Sequence, residues 1–415
     1  MTVPSLRGAL VHIDLEGETL VVGRLRAVAS RSGERTGFEY APAWLERRER
    51  FALEPALSLA PGTVFPPHDR ALFGAFSDSA PDRWGRILMQ RAERREAARQ
   101  GRAVRALHEL DYLLGVNDAT RQGALRFSAT EGGAFLATGR AAVPPLVELP
   151  RLLAATDRLE ADGATDEDLA LLLAPGSSLG GARPKASVRD RDGSLAIAKF
   201  PKPSDEWPVV EWEGVLLALA QRAGITTARG RLEEVGGRRV LITTRFDRAG
   251  PRRIPYLSAM SLLGARDNDP VAHSYPEIAE ALRQHGARPT GDAEELWRRM
   301  VFSVAVANTD DHLRNHGVCY AGLDGWVLAP AFDLNPTPAD VRPRVLSTAL
   351  SREGETAGSL ELCRAVAEEF GLTPGRAEEI LTEVTSAVRG WRTVARGTGL
   401  SAADCDRMAS AFLES

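Results

Sequence analysis

The chain has 415 residues, of which 44% are hydrophobic and 26% charged, a composition typical of two or three globular domains. Its formal net charge of −4 argues against a protein built mainly to coat nucleic acid. No run approaches 18 apolar residues and no signal pattern begins the chain, so we expect a cytoplasmic protein without a membrane span. Three widely spaced cysteines, Cys319, Cys363 and Cys405, argue against a disulfide framework or a zinc site.

The first 105 residues are predicted to combine short strands with one arginine-rich helix. Alternating apolar residues predict strands at Ala9–Ile13 and Thr19–Gly23, and helical spacing predicts a helix from Asp82 to about Arg105. The arginines of that helix are Arg83, Arg86, Arg91, Arg94, Arg95, Arg99, Arg102 and Arg105. Such a run favours a solvated helix face, and a surface for an acidic partner or for DNA is the alternative.

Residues 106–250 contain a glycine-rich segment after a predicted loop at Val143–Pro150. The segment, residues 177–185, reads Ser-Ser-Leu-Gly-Gly-Ala-Arg-Pro-Lys, and its small residues let backbone amides approach phosphates closely. It is not a Walker loop, because the Gly-Lys-Ser/Thr ending is absent. An ordinary turn is the alternative interpretation.

Lysine is rare in this chain. Lys185, Lys199 and Lys202 are the three lysines among 52 basic residues, which leaves 49 arginines. A lysine kept against that bias indicates a site where a compact point charge is needed. Lys199 ends a predicted strand, where a protein kinase keeps the lysine that binds the α- and β-phosphates. An exposed lysine at a strand end is the alternative.

A helix is predicted to follow, from Pro208 through Ala220, with a stop at Gly224. Glu211 or Glu213 could pair with Lys199, as a helix-borne glutamate does in kinases. An acid in the first helical turn also suits the helix dipole. A further strand is predicted over residues 239–246, and helices are predicted over 292–306 and 376–388.

The polar residues Asp310, Asn315 and Asp333 form the most informative set in the chain. An acid, an asparagine after four intervening residues and a second acid are what a kinase-type phosphoryl-transfer site needs. Strands are predicted at Gly317–Tyr320 and Trp326–Leu328 around an Asp-Gly turn, and this hairpin would bring Asn315 and Asp333 to one end. Helix caps and turns are the alternative use of such residues.

Taken in order, these segments resemble the HipA family of serine/threonine kinases, the toxin halves of bacterial toxin–antitoxin pairs. The resemblance runs from about Leu72 to Pro336 and rests on residues 77–85, 178–185, 197–201 with 219–225, 245–248, and 308–315 with 330–334. It implies an α+β, two-lobed, protein-kinase-like fold with a mixed N-terminal lobe, an added N-terminal subdomain and an all-helical C-terminal lobe. The implied domains are residues 1–105, 106–250 and 251–415.

The resemblance also implies roles for single residues. Asp310 would be the catalytic base, Lys199 would bind nucleotide phosphates and pair with Glu213, and Asn315 and Asp333 would bind Mg²⁺. Nucleotide contacts are further implied for Gly180, Gly181, Ala182, Arg183, Pro184, Lys185, Thr244, Arg245, Phe246 and His312. Ser178 aligns with the serine that family members autophosphorylate. The family often has Gln at position 183 and Glu at position 244, so side-chain contacts of Arg183 and Thr244 do not follow from it.

The implied function is that of an ATP- and magnesium-dependent serine/threonine protein kinase that arrests growth by phosphorylating a cellular protein, for example an aminoacyl-tRNA synthetase. The implied partners are a HipB-like helix-turn-helix antitoxin and, through it alone, operator DNA. One alternative is a catalytically weak relative that acts as an antitoxin-bound transcriptional co-regulator, against which the four retained polar residues speak. The other alternative is a small-molecule kinase, which would need a pocket for a hydroxyl-bearing substrate.

Overall fold

The computed structural model describes residues 7–30, 33–67, 70–138, 143–176, 181, 183–267, 269, 272–322 and 325–413. The chain divides into two compact units. The first consists of Met1–Pro203, Val235–Arg238 and Thr244–Leu257, and the second of Ser204–Glu234, Arg239–Thr243 and Ser258–Ser415.

The strands are β1 Gly8–Leu15, β2 Glu18–Ser30, β3 Gly33–Tyr40, β4 Thr63–Val64, β5 Leu125–Ser128, β6 Lys185–Arg189, β7 Leu195–Lys199, β8 Gly230–Val235, β9 Arg238–Thr244, β10 Arg248–Ala249, β11 Arg252–Arg253, β12 Tyr256–Ser258, β13 Gly317–Tyr320 and β14 Trp326–Leu328. The helices are α1 Pro42–Glu46, α2 Gly74–Asp78, α3 Arg83–Arg99, α4 Glu109–Gly115, α5 Leu149–Glu160, α6 Asp166–Gly176, α7 Val209–Arg222, α8 Ala259–Leu262, α9 Tyr275–His285, α10 Pro289–Ala305, α11 Leu360–Ala365, α12 Pro374–Arg389, α13 Trp391–Gly397 and α14 Ala402–Met408. Short 3-10 turns occupy Leu146–Glu148, Leu313–Asn315, Ala367–Phe370 and Ala409–Ala411.

The first unit begins with an antiparallel sheet of order β4-β3-β2-β1-β5. One face of this sheet carries Phe38 and Phe127, which are buried with Phe76 of α2 at ring-centroid distances of 5.2 and 6.5 Å from it. Aromatic side chains bury large apolar areas, so this cluster anchors α2 to the sheet. The predicted strands at Ala9–Ile13 and Thr19–Gly23 lie within β1 and β2, which are both longer than predicted.

Helix α3 is shorter than the sequence predicted, because it ends at Arg99 rather than near Arg105. Gly101 has a φ of 62°, and the Arg102 amide donates to the Ala97 carbonyl at 3.0 Å. A left-handed glycine with such a hydrogen bond closes a helix. Asp82 is the N-cap residue of the helix, and its side chain accepts a hydrogen bond from the Gly85 amide.

Most of the arginines in the predicted 82–105 helix are ion-paired within the first unit. The pairs are Arg86 with Glu109, Arg91 with Asp162, Arg95 with Asp166, Arg99 with Glu96, Arg102 with Glu93 and Arg105 with Asp111. Each pair cancels positive charge that a nucleic acid or an acidic partner would otherwise meet. The pairing supports the interpretation of this run as a solvated, ion-paired face.

The rest of the first unit contains helices α5 and α6 and the β6–β7 hairpin. The predicted loop at Val143–Pro150 is partly wrong, because Leu146–Glu148 form a 3-10 turn and α5 starts at Leu149. Pro150 fits in the first helical turn, where no backbone amide is needed. Strands β6 and β7 pair in antiparallel register with Ala186 opposite Ala198. The hairpin that the sequence predicts around Lys199 is therefore present.

The second unit is mainly helical and is built around α10. Leu296, Trp297, Met300 and Val304 of that helix are fully buried, and the Trp297 indole donates to the Cys363 carbonyl at 3.0 Å. Helices α9 and α12 pack against α10. Helices α7, α10 and α12 cover the positions where helical spacing predicts helices. The hairpin of β13 and β14 is present, as the strand pattern predicts, so the C-terminal lobe is not all-helical as the resemblance implied.

Candidate functional site

The β13–β14 hairpin brings the two predicted magnesium ligands to the same end of a ribbon. Val318 pairs with Leu328 in this hairpin, and the Ala329 amide donates to the Gly317 carbonyl at 2.8 Å. Asn315 therefore precedes one strand at the end where Asp333 follows the other. The turn residues Leu323 and Asp324 lie outside the described residues.

The segment from Asp310 to Asn315 is closed by its own hydrogen bonds. The Asn315 side-chain Nδ2 donates to the Asp310 carbonyl at 2.7 Å, and the Asn315 amide donates to the His312 carbonyl at 2.8 Å. Since Nδ2 is used in this way, Oδ1 of Asn315 is the amide atom that can accept or coordinate. The Asp310 side chain is exposed to solvent. The roles of Asp310 as base and of Asn315 as magnesium ligand remain predictions.

Asp333 has an unusual backbone conformation. Its φ is 58°, in the left-handed region that residues with side chains rarely adopt. The chain just before it is fixed, because the Ala331 amide donates to the Thr226 carbonyl and the Ala228 amide to the Ala331 carbonyl. Such conformations cluster at functional sites, where the surrounding structure maintains them.

Asn308 connects the segment around Asp310 to the segment around Asp333. Its Oδ1 accepts from the Asn335 amide at 3.0 Å, and its Nδ2 donates to the Ser303 hydroxyl at 3.3 Å. The Thr309 hydroxyl lies 3.0 Å from that of Thr337. Both Asn308 and Thr309 are buried. These contacts hold the two predicted catalytic segments in a fixed relation.

Asp311 is a structural acid that the sequence analysis did not single out. Its carboxylate accepts from the Tyr275 hydroxyl at 2.6 Å and from the amides of Ser347 and Thr348 at 2.8 and 3.3 Å. Burial raises the pKa of Asp311 to about 7, although these hydrogen bonds lower it. Nothing in the sequence indicates this supporting role of Asp311, because its partners lie 36 and 37 residues away along the chain.

His316 contacts the same segment at the backbone carbonyl of Asp311. Its Nε2 lies 3.1 Å from the Asp311 carbonyl, and its ring meets the Tyr275 ring edge-on with centroids 5.1 Å apart. Burial lowers the pKa of His316 to about 3. The imidazole is therefore neutral at physiological pH, and a neutral ring with its proton on Nε2 donates to the carbonyl.

His312, which the resemblance implies as a nucleotide contact, is half-buried and lines a pocket beside the Asp310 segment. The pocket has a volume of about 280 Å³. Its lining residues are Met260, Arg266, Asp267, Asp269, Ala272, His273, His312, Leu313, Arg314 and Ser347. Arg314 pairs with Asp267 at 2.8 Å and His273 lies 3.2 Å from Asp269, so both aspartates of the lining have a partner within it.

The predicted phosphate loop is only partly within the described residues. Ser178, Gly180 and Ala182 lie outside them. Gly181 is exposed and has a φ of 99°, which only glycine adopts without strain. Arg183 is half-buried, and Pro184 and Lys185 are buried. The described part of the loop thus leads from an exposed glycine into the first strand of the hairpin.

Lys199 and Lys185 lie directly opposite each other in the β6–β7 register. Lys199 ends β7, as the sequence predicted, and is half-buried. Lys185 is buried, and its Nζ lies 3.3 Å from Asp82 Oδ2. The Lys185 ammonium group therefore has a partner within the protein. The implied nucleotide contacts of both lysines remain predictions.

The side chain of Arg245 is committed to the interior of the first unit. It donates to the Asp247 carboxylate at 2.8 and 2.5 Å and to the carbonyls of Thr120 and Arg121. Two arginine partners hold the pKa of Asp247 below its usual range despite full burial. Thr244 ends β9, and Phe246 packs against Tyr256 with ring centroids 5.9 Å apart. A nucleotide contact at residues 244–246 would thus involve the backbone or Phe246 rather than the Arg245 guanidinium.

The glutamates of α7 differ in burial. Glu213 is buried, whereas Glu211 is half-buried and burial raises its pKa. The pairing of Lys199 with Glu213 remains a prediction.

Comparison with known families decides which group of proteins this chain is part of. The model of the HipA-like C-terminal domain matches residues 177–391, more than half of the chain, and that of the HipA N-terminal domain matches residues 18–112. The chain belongs to the HipA family. The resemblance that its motifs indicate is thereby confirmed, while the domain limits predicted near residues 105 and 250 remain predictions.

One solved structure confirms the fold class. The HipA of Shewanella oneidensis, solved in a complex with HipB and operator DNA, matches with a TM-score of 0.65 at 15% identity, covering 97% of this HipA-family chain and 94% of its own. At that identity the likeness shows the fold alone, which is the protein-kinase-like α+β fold expected from the sequence. The Helicobacter pylori proinflammatory kinase CtkA matches at a TM-score of 0.40 and 15% identity over 57% of this chain and 93% of its own.

A curated relative from Haemophilus influenzae, named putative kinase, is 25% identical over 221 residues. These residues make up 47% of this chain and 63% of the relative, so the chain spans less than two thirds of that relative's length. Among the residues that the structure describes, no helix is both long and apolar enough to cross a membrane.

Proposed function

We propose that this HipA-family chain is an ATP- and magnesium-dependent serine/threonine protein kinase. The observation that carries the proposal is the fixed arrangement of Asp310, Asn315 and Asp333 around one end of the β13–β14 hairpin. The name of its relative in Haemophilus influenzae, putative kinase, agrees with this proposal.

The three residues have distinct roles in this proposal. The exposed Asp310 carboxylate orients the acceptor hydroxyl and takes its proton. The oxygens of Asn315 and Asp333 suit Mg²⁺, a hard cation that proteins usually hold through one or two carboxylates together with substrate phosphates. When bound, Mg²⁺ neutralises charge on the nucleotide phosphates. Lys199 binds the phosphates as a point charge, and Glu213 orients it.

The acceptor class is tested by following the γ-phosphoryl group of ATP. Label from γ-labelled ATP should accumulate in protein when the purified chain is incubated with Mg²⁺ and a protein mixture. A parallel incubation with sugars and aminoglycosides instead of protein should leave those molecules unlabelled. Label found in the small molecules alone would replace this proposal with a small-molecule kinase. Tight ATP binding without any transfer would favour the transcriptional co-regulator.

The biological role extends the kinase proposal. The chain would act in the cytoplasm as a growth-arresting toxin, phosphorylating a protein such as an aminoacyl-tRNA synthetase. A HipB-like antitoxin would hold it, and operator DNA would be contacted through that antitoxin. The complex of the Shewanella oneidensis protein with HipB and operator DNA supports this partner. Co-expression with a HipB-like helix-turn-helix protein from the same organism should abolish growth arrest and yield a stable complex, and continued arrest would refute the pairing.

Autophosphorylation of Ser178 is the remaining part of the proposal. Ser178 precedes the Gly180-Gly181 pair, and a phosphate there would add about −1.5 to −2 charge where the nucleotide phosphates bind. Like-charge repulsion would then lower ATP affinity. Peptide mapping after Mg-ATP treatment should find phosphate on Ser178 and weaker ATP binding. Phosphate absent from Ser178, or present with unchanged ATP binding, would refute autoinhibition and leave the kinase assignment intact.

A further inference from the structure

Two residues at the start of α3 contact the predicted phosphate loop, although they lie in the HipA N-terminal domain. The Asp82 carboxylate lies 3.3 Å from the Lys185 ammonium group. The Trp84 indole donates to the Lys185 carbonyl at 3.1 Å, and the Trp84 amide lies 3.4 Å from the Gly181 carbonyl. Three contacts from one helix start therefore reach both ends of the described loop.

The side chains that make these contacts are buried. The side chains of Lys185 and Asp82 are only 4% and 7% exposed, and Trp84 is 1% exposed. A buried ammonium group requires a nearby negative charge, because desolvation otherwise disfavours its charged form. Asp82 supplies that charge from a rigid position, since its other oxygen, Oδ1, caps α3 through the Gly85 amide at 2.7 Å.

The register of the hairpin gives Asp82 a second effect. Lys185 and Lys199 are cross-strand partners, and the Phe200 amide donates to the Pro184 carbonyl at 3.0 Å. The neighbouring Lys185/Lys199 pair is then of the non-hydrogen-bonded type, in which side chains on one face lie close together. Like charges directly opposite each other destabilise a ribbon. Asp82 places a carboxylate beside the Lys185 ammonium group and so offsets the repulsion between the two lysines.

We infer that Asp82 and Trp84 are positioning residues for the nucleotide site, through which the HipA N-terminal domain sets the location of the glycine-rich loop and of the Lys185/Lys199 pair. Lys185 acts in this arrangement as the anchor of the loop and not as a phosphate ligand. The inference rests on the proposed function where it concerns ATP. Its structural half, that α3 holds the loop, does not depend on ATP.

The test uses variants that keep the helix cap and the side-chain volume. Asp82→Asn retains a good N-cap while removing the charge, and Lys185→Met removes the cation from a similar stem. Each should raise the KM for ATP by roughly tenfold to a hundredfold, with kcat changed less, because a displaced loop weakens phosphate positioning. Lys202→Met, which removes the ion pair of Lys202 with Glu160 at 3.6 Å, is the matched control and should leave KM unchanged.

The double variant Asp82→Asn/Lys185→Met separates anchoring from phosphate binding. If Lys185 is an anchor, the double variant should bind ATP better than Asp82→Asn alone, because no unpaired buried cation remains. If the double variant binds ATP as poorly as the sum of the two single losses, Lys185 contacts the nucleotide and the inference is wrong.

Hydrogen exchange without nucleotide distinguishes failure of this inference from failure of the proposed function. The amides of Arg183 and of residues 185–188 should exchange faster in Asp82→Asn and in Trp84→Phe than in wild type, while amides of β13 and β14 should not change. Faster exchange in a wild-type chain that binds no ATP would keep the loop anchoring and reject the kinase proposal. Unchanged exchange of residues 183–188 in both variants would overturn the inference even in an active kinase.

Discussion

The segment around Asp310 and the loop around Lys185 are held in place in different ways. The hydrogen bonds described above for Asp310, Asn315 and the chain before Asp333 all join residues within 177–391, the range matched by the HipA-like C-terminal domain. Lys185 is fixed by Asp82 and by Trp84, which is 101 residues away in the chain. The residues proposed for the chemistry are therefore held from within one domain, while the position of the described part of the proposed phosphate loop also depends on the HipA N-terminal domain.

A second contrast separates two neighbouring carboxylates. Asp310 is exposed, whereas Asp311 is buried beneath it and accepts three hydrogen bonds. The exposed acid can meet an acceptor hydroxyl. The buried acid instead ties the segment to Tyr275 and to the chain at residues 347–348. Replacing each acid separately should therefore distinguish loss of chemistry from loss of support.

Apart from the Asp310→Asn variant considered last, the largest loss of transfer rate is expected at Lys199, the cross-strand partner of Lys185. Lys199→Arg should lower the transfer rate by roughly a hundredfold although the charge is kept, since a planar fork does not reproduce a point contact on two phosphates. Steady-state kinetics will measure it. Lys202→Arg is the matched control and should be silent, and equal tolerance of both changes would mean that lysine at position 199 has no special role.

The magnesium ligands should respond differently from the base. Asn315→Ala and Asp333→Ala should each raise the Mg²⁺ concentration needed for half-maximal transfer by about tenfold or more, because each removes one oxygen ligand. Magnesium titrations of the transfer rate will test this. The Asp310→Asn variant should keep the wild-type magnesium dependence in its residual activity. An identical magnesium dependence in all three variants would remove the distinction between base and ligands.

The stability of the chain should depend on pH through Asp311. Its pKa is raised from 3.8 to about 7, so the protonated form is favoured in the folded state. At a pH below the pKa of Asp311 in the unfolded chain, the carboxyl group is protonated in both states and does not lower the free energy of unfolding. The free energy of unfolding then falls as the pH rises towards the pKa of Asp311 in the folded protein. The unfolding free energy of wild type relative to Asp311→Asn should therefore fall by a few kcal/mol between about pH 4 and about pH 7 and then level off.

Thermal unfolding of wild type and Asp311→Asn across that range will measure the difference. Asparagine can still accept from the Ser347 and Thr348 amides and donate to the Tyr275 oxygen, so the variant should fold. A constant difference in melting temperature at all pH values would show that Asp311 is ionised throughout.

The smallest effect is expected for Tyr275→Phe. The change removes one hydrogen bond to the Asp311 carboxylate, which should cost about 1–3 kcal/mol of stability when Asp311 is ionised. The cost should be smaller near pH 5, where Asp311 is mostly protonated. Denaturant unfolding at both pH values will measure it, and an equal cost at both would mean that the Tyr275 bond does not depend on the charge.

Local patterns in the sequence predicted much of the fold. The strands Gly317–Tyr320 and Trp326–Leu328 agree with β13 and β14, because alternation and turn residues act over short distances. The end of α3 at Arg99 was missed, since the arginine run continues past Gly101 and only its positive φ ends the helix. The start of α5 was missed because Pro150 suits a first helical turn as well as a loop.

The candidate site was predicted less evenly. The order of Asp310, Asn315 and Asp333 is visible in the sequence because the hairpin between them is local. The roles of Asn308, Asp311 and Asp82 were not visible. Each depends on a partner that the fold brings from elsewhere in the chain, as Asn335, Tyr275 and Lys185 show.

The most direct test of the account is the transfer rate of Asp310→Asn measured beside its affinity for Mg-ATP. We predict that γ-phosphoryl transfer falls by roughly 10²–10⁴-fold, the contribution typical of a general base, while the Kd for ATP stays within about threefold of wild type. A folded Asp310→Asn protein that transfers phosphate at the wild-type rate, or that no longer binds Mg-ATP, would contradict the assignment of Asp310 as the base of a HipA-type kinase.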